Sequence, residues 1–407
     1  MSRPITPPPP VAVAGFGLIA MLGFLSAVTP LSIDMYLPSL PRLADELATS
    51  SSMAQISVST FFFGLALGQL LYGPLSDRFG RRPALLLGFG LYLAASLACA
   101  LTRNIDMLIV ARAVQGLGAA ASPSAGRAII RDHWSGNAAA RAMSFVMMVM
   151  SVAPLLAPLL GAQILVWLGW RAIFWVLAGF AVLSLGMVLL GLPETNGPAR
   201  RGNVRMASVY RIYGHVLVDP RALAWLVCGG LVSASMFAYI TSAPFLYIEH
   251  FGVDARLFGF YFGFNIVGMV VGNLINGRLV SRFGYRRMMG YGTLVLLLAS
   301  LVLAVSAAAG VDSLALMVVC LFFAVGVVAM ASANAVTGLL DLYPHNAGAC
   351  SALFGLAQYG LGAVAGFAAG AFYSGTPASM ASIMAVCGVV ALAAYLALRR
   401  LEGADAA

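Results

Sequence analysis

One ten-residue segment occurs twice in this sequence, first as Gly73-Pro-Leu-Ser-Asp-Arg-Phe-Gly-Arg-Arg82 and again as Gly277-Arg-Leu-Val-Ser-Arg-Phe-Gly-Tyr-Arg286. The two copies begin 204 residues apart, which is half of the 407-residue chain. Each copy follows the second apolar segment of its own half of the sequence. The halves therefore enter their surroundings in the same direction, as parallel repeats do.

The composition around these segments excludes an ordinary soluble protein. Hydrophobic residues make up 61% of the chain and charged residues 9%, with a mean hydropathy of +0.94. Soluble domains carry about 25% charged residues. Because one membrane crossing takes roughly 20 apolar residues, a chain of this length accommodates about twelve helices and no large catalytic domain.

Apolar segments separated by charges, Pro or Gly predict an all-α integral membrane protein with twelve transmembrane helices in two parallel six-helix halves. The predicted helices cover residues 11–37, 53–75, 83–102, 105–130, 141–167, 170–192, 221–248, 256–280, 287–310, 313–340, 347–373 and 378–399. We expect residues 1–192 and 221–407 to form the two bundles. The polar stretch 193–220 is interpreted as a linker between them.

The arginines predict the orientation in the membrane. All 23 basic residues are Arg. If the N-terminus is cytoplasmic, 18 of them lie in inside loops and tails, one lies in a helix, and four lie outside: Arg42, Arg103, Arg171 and Arg256. Since cytoplasmic loops are enriched in basic residues, both termini and the linker are predicted to be cytoplasmic. The net charge of +9 thus reflects orientation, and no nucleic-acid partner is expected.

Motifs for catalysis or cofactor binding are not found in the sequence. The five cysteines are far apart and form neither a metal-binding nor a disulfide pattern. No nucleotide-binding P-loop or serine-nucleophile motif occurs. We therefore expect a monomer without enzyme activity, cofactor or metal, whose partners are a small-molecule substrate, protons and the lipid bilayer.

The first copy of the repeated segment resembles the loop signature of the major facilitator superfamily. The matching residues are Gly73, Asp77, Arg78, Gly80, Arg81 and Arg82. The resemblance extends over all twelve predicted helices and implies a conformational latch of the outward-facing state. Physically, Gly73 permits close helix approach, Gly80 permits a tight turn, and Asp77 can bond to arginines across the cytoplasmic gap.

Two observations limit the latch hypothesis. The arginines alone would satisfy the orientation rule, and in that alternative Asp77 has no role. In the second copy Ser281 replaces the acid, so a latch there is weaker or differently paired.

Two ionisable residues lie within predicted helices, where charge is expensive and usually functional. Arg112, in the segment Arg112-Ala-Val-Gln-Gly-Leu-Gly118, resembles a second superfamily motif. Arg127 is 15 residues further along, about 22 Å on a helix, so Arg112 cannot share the cytoplasmic interface. Asp34, in the outer half of the first helix, is its candidate partner. The alternatives are that Arg112 snorkels to the outer face and that Asp34 is an interfacial carboxylate.

A narrower resemblance concerns substrates. The strings Asp34-Met-Tyr-Leu-Pro38 and Ala349-Cys-Ser-Ala-Leu-Phe-Gly-Leu-Ala-Gln358 look like the Bcr/CflA branch of drug exporters. That branch exports bicyclomycin and phenicols, and it includes relatives assigned to nucleobases and sugars. We expect Tyr36, Arg112, Tyr239, Asn265 and Gln358 to bind substrate. The other interpretation of these polar residues is hydrogen bonding between packed helices.

The fifth predicted helix contains Pro154, Pro158 and Gly161. These residues resemble the antiporter motif of the superfamily, although Ala replaces the usual Gly before each proline. Prolines four residues apart kink a helix on one side, so a purely structural kink is the alternative.

The sequence thus predicts a secondary active transporter in the bacterial inner membrane that exports drugs or other small amphipathic compounds by alternating access. Asp34 is predicted to take up the proton, and Arg112 to hold its charged form. The alternative is a proton-coupled carrier of a specific metabolite, such as a nucleobase, nucleoside or sugar. A membrane enzyme or a channel is a distant alternative, because catalytic groups do not cluster and a channel needs no parallel halves.

Overall fold

The computed structural model describes residues 14–196 and 206–404. All regular secondary structure in these ranges is helical. Eleven helical segments there are long and apolar enough to span a membrane. One of them, Ala255–Ala308, bends at Gly284 and contains two spans. The described residues therefore contain the twelve spans that the sequence predicts.

Each span is a helix because hydrocarbon offers no partner to a backbone polar group. The first six spans are α1 (Gly15–Glu46), α2 (Ser51–Phe79), α3 (Arg81–Leu101), α4 (Ile105–His133), α5 (Gly136–Leu168) and α6 (Trp170–Gly191). A linker helix, Met206–Val218, follows them. The last six spans are α7 (Pro220–His250), α8 (255–283), α9 (285–308), α10 (Leu314–Leu342), α11 (Pro344–Ala371) and α12 (Ala378–Ala404).

The repeated segment forms the same turn in both halves. Gly80 joins α2 to α3 with a φ of 110°, and Gly284 joins α8 to α9 with a φ of 76°. Residues with a Cβ rarely adopt such angles. The connection between α8 and α9 is shorter than the predicted loop, because helical backbone resumes directly after Gly284. A single glycine is enough to change the direction of the chain there.

The first span is longer and less regular than predicted. It extends to Glu46 instead of ending near residue 37, and its helical pieces are Ala14–Ser26, Val28–Asp34 and Leu40–Glu46. Pro41 lies at the start of the last piece, and Pro38 lies at the start of the short turn Leu37–Ser39 before it, where a missing N–H and a fixed φ are tolerated. Buried Leu40 and Leu43 keep the final piece packed on the bundle.

Glycines bring the backbones of α2 and α4 into contact. A Cβ at Gly116 would lie 2.0 Å from the carbonyl oxygen of Phe61, and a Cβ at Gly64 would lie 2.0 Å from that of Ala113. No side chain other than hydrogen fits either position. Small residues allow this close packing in membranes, where no hydrophobic force drives helices together.

The two groups of six helices meet at two places: α2 packs on α11, and α5 packs on α8. On the side away from the arginine-rich turns, the end of α1 also contacts the end of α7. The rings of Phe62 and Phe237 are 4.3 Å apart between centroids. Ser242 Oγ donates a hydrogen bond of 3.3 Å to Gln55 Oε1. The structure is therefore closed on this side.

On the arginine-rich side, the two groups are separated by a cavity of about 460 Å³. Its walls come from α2, α4, the start of α11 and the linker helix. The conformation is thus closed on one side of the membrane and open on the other.

Asp219 connects the end of the linker to both α7 and α11. Its side chain accepts a hydrogen bond from the N–H of Arg221, which caps α7, and another of 2.7 Å from the hydroxyl of Tyr343. Burial opposes ionisation, but these hydrogen bonds prevail and lower the pKa of Asp219. The linker arginines Arg200, Arg201 and Arg205 lie outside the described residues.

Candidate functional site

Arg112 lies inside the first group of helices, and its side chain is fully buried. Its Nη1 donates hydrogen bonds to the carbonyl oxygen of Ser32 at 3.1 Å and to Oε1 of Gln115 at 2.6 Å. Gln115 Nε2 donates in turn to Ser96 Oγ at 2.8 Å. Within the described residues, Nε and Nη2 of Arg112 have no hydrogen-bond partner. The alternative in which Arg112 reaches the outer surface is therefore excluded.

Aromatic rings occupy the place beside Arg112 where the sequence predicted a carboxylate. The guanidinium carbon is 4.3 Å from the ring centroid of Phe61, 4.7 Å from that of Tyr36 and 5.9 Å from that of Phe174. The negative faces of such rings attract a cation, most strongly where water is excluded. The rings belong to α2, α1 and α6, so the cation holds three helices together.

Asp34 is the last residue of the helical piece Val28–Asp34, and only 4% of its surface is exposed. It lies near Tyr239 of α7, close enough for an electrostatic interaction between the two groups of helices. Among residues 14–196 and 206–404, the structure contains no ion pair of Asp34. An ionised carboxylate in such a place lacks the compensation that a buried charge needs.

The predicted ion pair between Asp34 and Arg112 is not formed in this conformation. Arg112 instead binds the carbonyl oxygen of Ser32, two residues before Asp34. This carbonyl is one of the last four of the helical piece, which have no partner within a helix, and a cation is favourable at a helix C-terminus. Arg112 therefore fixes the helix end that carries Asp34 and leaves the carboxylate free.

Three other predicted substrate-binding residues are enclosed. Tyr36 shares a hydrogen bond of 2.8 Å with Ser57, and Asn265 Nδ2 donates one of 2.9 Å to the hydroxyl of Tyr239. Tyr36, Tyr239 and Asn265 are fully buried, whereas Gln358 of α11 is partly exposed. Because the two groups of helices are closed at this level, the first three are packed and do not line the cavity in this conformation.

The signature segment forms an ionic network within the first group of helices. Arg81 is buried and donates hydrogen bonds to the carboxylates of Asp77 and Asp132, the latter at 3.1 Å from Nε. Glu194, which follows α6, accepts the backbone N–H groups of Arg81 at 3.0 Å and Arg82 at 3.2 Å. The predicted contact of Asp77 across the gap is therefore not formed in this conformation.

The other signature residues face in different directions. A Cβ at Gly73 would meet no atom within 4 Å, because Gly73 lines the cavity, so the predicted close helix approach there is wrong for this conformation. The guanidinium of Arg78 lies 5.3 Å from the ring centroid of Phe79. Arg82 Nη2 donates a hydrogen bond of 2.6 Å to the carbonyl oxygen of Leu189.

The residues of the fifth span connect Asp34 to the opposite group of helices. Pro154 and Pro158 lie within α5, which is continuous from Gly136 to Leu168. A Cβ at Gly161 would lie 2.0 Å from the carbonyl oxygen of Met35, so α5 touches the chain directly after Asp34. Leu159, half a turn away, packs on Gly259 of α8.

The cavity lies between the signature segment and the start of α11. It is lined by Gln69, Asp77, Arg81, Arg127, Arg131, Tyr213 and residues of the segment 345–352, among others. Burial, with Tyr210 and Asp77 nearby, raises the pKa of Tyr213 to about 12, so this phenol of the linker helix remains neutral.

The sequence matches the model of a known protein family. The model of the Major Facilitator Superfamily matches residues 22–367, and a second match covers residues 232–406. The chain belongs to the major facilitator superfamily. This superfamily transporter is 32% identical to the "Uncharacterized MFS-type transporter YdgK" of Bacillus subtilis, over 96% of this chain and 97% of that protein. It is 30% identical to the "Bicyclomycin resistance protein homolog" of Haemophilus influenzae, over 93% of this chain and 95% of that protein.

Solved structures share the fold of this superfamily transporter. The xylose transporter XylE from E. coli, in a partially occluded inward open conformation, matches with a TM-score of 0.69 over 93% of this chain and 96% of that one. The sequence identity is 17%, so the match shows a shared fold and nothing more. The all-helical major facilitator fold predicted from the sequence is confirmed.

One cavity residue of the superfamily transporter was missed by sequence reasoning. Arg127 lies six residues before the end of α4 and lines the cavity, whereas its position in the sequence predicted a role in orientation only. The spacing Ser124, Arg127, Arg131 places all three on one helix face, and this pattern could have indicated a polar wall.

Proposed function

We propose that this transporter exports small amphipathic compounds, drugs among them, from the cytosol in exchange for protons. The observation that carries the proposal is Asp34: a carboxyl group buried between the two groups of helices, with no ion pair to any described residue. The similarity to a protein named for bicyclomycin resistance supports drugs as the substrate class. The transporter acts as a monomer in the lipid bilayer of the bacterial inner membrane.

The arginine distribution supports an orientation with both termini and the linker 193–220 in the cytosol. In this orientation the cavity of about 460 Å³ opens to the cytosol, and the closed side faces outwards. The two bundles, residues 1–192 and 221–407, then move as two units. They move about the interface that α2 forms with α11 and α5 forms with α8. Substrate enters from the cytosol, and the opposite closure releases it outside.

Proton exchange fits the position of Asp34. When the outer side opens, its carboxyl group meets water and protons. When that side closes again, the group is enclosed beside Tyr239, where a neutral acid is tolerated and an uncompensated charge is not. A bound proton therefore favours the cytosol-open state. Substrate binding and proton release then bias the equilibrium towards the outward-open state.

Arg112 supports this step through the backbone of α1. Its guanidinium holds the carbonyl of Ser32, so the helix end next to Asp34 keeps one geometry. In the outward-open state, Tyr36, Tyr239, Asn265 and Gln358 are the candidates for substrate contacts, since they lie on or near the faces that separate.

The signature segment acts as the latch of the outward-open state. Asp77 lies on one wall of the cytosolic cavity, and the first turn of the helix Ala347–Ala371 lies on another. That turn carries no acidic residue, and the N-terminus of a helix attracts anions. When the cavity closes, Asp77 approaches this helix start.

Asp77→Asn is expected to slow transport by about tenfold without loss of expression, because a neutral amide lacks the charge that the helix start attracts. Ser281→Ala, the matched change in the second copy of the segment, should have a smaller effect. Initial rates of substrate uptake into inside-out membrane vesicles measure both. An unchanged rate for Asp77→Asn would leave the segment with an orientation role only.

The exchange itself is tested with the purified protein in proteoliposomes. A lumen one pH unit more acidic than the medium should drive accumulation of radiolabelled bicyclomycin or chloramphenicol, up to about tenfold for one proton per neutral molecule. Nigericin, which removes the pH gradient, should abolish the accumulation. Accumulation that matches empty liposomes for every compound, or that persists with nigericin, would contradict proton-driven export.

A further inference from the structure

The cytosolic cavity has an excess of positive charge. Its charged side chains are Asp77, Arg81, Arg127 and Arg131. Arg81 is bonded to both Asp77 and Asp132, so this group of three carries one net negative charge, which the two positive charges of Arg127 and Arg131 exceed. Within residues 14–196 and 206–404, neither Arg127 nor Arg131 has a hydrogen bond or an ion pair. Of the undescribed residues, only Asp405 near the C-terminus is acidic.

Arg127 is positioned deep within this cavity. It lies six residues before the end of α4, about 9 Å along the helix. Its side chain is exposed, lines the cavity, and lies close enough to Tyr359 of α11 for an electrostatic interaction. Arg131 lies one turn nearer the mouth on the same helix face. An unpaired cation held in a narrow space interacts more strongly with an anion than one on an open surface.

The remaining walls suit an amphipathic anion. Ala347, Gly348 and Ala349, at the start of the helix in α11, line the same cavity. The side chain of the capping residue Asn346 makes no hydrogen bond to these N–H groups. Val209 and Ile212 of the linker helix add an apolar surface. The cavity volume of about 460 Å³ is within the range of small-molecule sites.

We propose that this cavity is an entry site for amphipathic organic anions, and that Arg127 binds their carboxylate or sulfonate group. The inference rests on the proposed export function, since the bound anion is then a substrate taken from the cytosol. Arg127 is thereby a specificity-determining residue, which favours anionic over neutral compounds of the same shape. Arg131 attracts the anion at the mouth.

The test is equilibrium dialysis of the full-length protein in phosphatidylcholine nanodiscs, with empty nanodiscs subtracted. The probes are 1-naphthoate and 1-naphthamide, which differ only in the charged group. The wild-type protein should bind naphthoate at least about tenfold more tightly than naphthamide. Arg127→Gln should remove this preference by weakening naphthoate binding about tenfold, and naphthamide binding should stay within about twofold. Arg127→Lys should retain much of the preference.

Arg141→Gln is the matched control, because Arg141 is exposed and does not line the cavity. The proposal is overturned if wild-type protein does not prefer naphthoate, if Arg127→Gln weakens both probes equally, or if Arg141→Gln has the same effect as Arg127→Gln. If Arg127→Gln does not fold, the wild-type protein decides the matter: 1 M KCl should weaken naphthoate binding relative to 50 mM and leave naphthamide binding unchanged. Salt-insensitive naphthoate binding would then overturn the proposal.

This binding needs no proton gradient. Protein that binds naphthoate as described but does not accumulate any drug contradicts the proposed export and leaves the anion site standing. Protein that accumulates drugs but shows no preference for naphthoate contradicts the anion site alone.

Discussion

Asp34→Asn protein is expected to lose all gradient-driven accumulation of substrate while it still exchanges labelled substrate down its gradient. Asparagine fills nearly the same volume beside Tyr239 but cannot gain or lose a proton. The variant thus resembles the protonated carboxyl group permanently, and substrate movement is no longer tied to proton movement. Proteoliposomes with and without a pH gradient measure the two activities separately.

Two further variants sharpen this experiment. Asp34→Glu retains a titratable group with one more methylene, so partial accumulation is expected. Asp106→Asn is the matched control, since Asp106 is an exposed carboxylate in the first turn of α4, and it should accumulate substrate as the wild type does. Undiminished accumulation by Asp34→Asn would show that Asp34 is not the proton-coupling group. Proton exchange would then require a different acidic residue.

Arg112→Ala is expected to abolish both accumulation and downhill exchange. The substitution leaves the carbonyl of Ser32 and the amide oxygen of Gln115 without their donor, and it empties the space between three aromatic rings. Loss of a large buried side chain costs about 3–5 kcal/mol. The melting temperature in detergent should therefore fall together with the transport rate.

Arg112→Met separates packing from transport. Methionine fills much of the space that Arg112→Ala leaves empty, although it cannot donate to Ser32 or Gln115. We expect a melting temperature well above that of Arg112→Ala, yet little transport, because the end of the helix before Asp34 is no longer held. Normal transport by Arg112→Met would show that Arg112 has only a packing role.

The sequence predicted the helices well because lipid imposes a simple rule: a span needs a long apolar run, and its backbone must bond within itself. The repeated turn was also predictable, since Gly80 and Gly284 occupy equivalent places and both require a positive φ. The length of the connection between α8 and α9 was not predictable. A basic segment between apolar runs is compatible with either a loop of several residues or a turn at one glycine.

The surroundings of Arg112 could not be predicted from one sequence. Chemical reasoning assigned it a carboxylate, whereas the structure surrounds it with rings from α1, α2 and α6 that are remote in sequence. Only the packing of all the helices brings these rings together. The accessibility of Tyr36, Tyr239 and Asn265 was unpredictable for another reason: it depends on which of two conformations the protein adopts.

Because Gly161 contacts Met35 directly, α5 is mechanically coupled to the end of α1. No side chain lies between the two backbones, so a displacement of Met35 cannot be absorbed by a change of rotamer and must move α5. On the neighbouring half turn, Leu159 presses on Gly259 of α8. A movement that begins one residue after Asp34 therefore reaches the other half of the molecule through two contacts. The first of these contacts is between main-chain atoms, so little of the displacement is lost there.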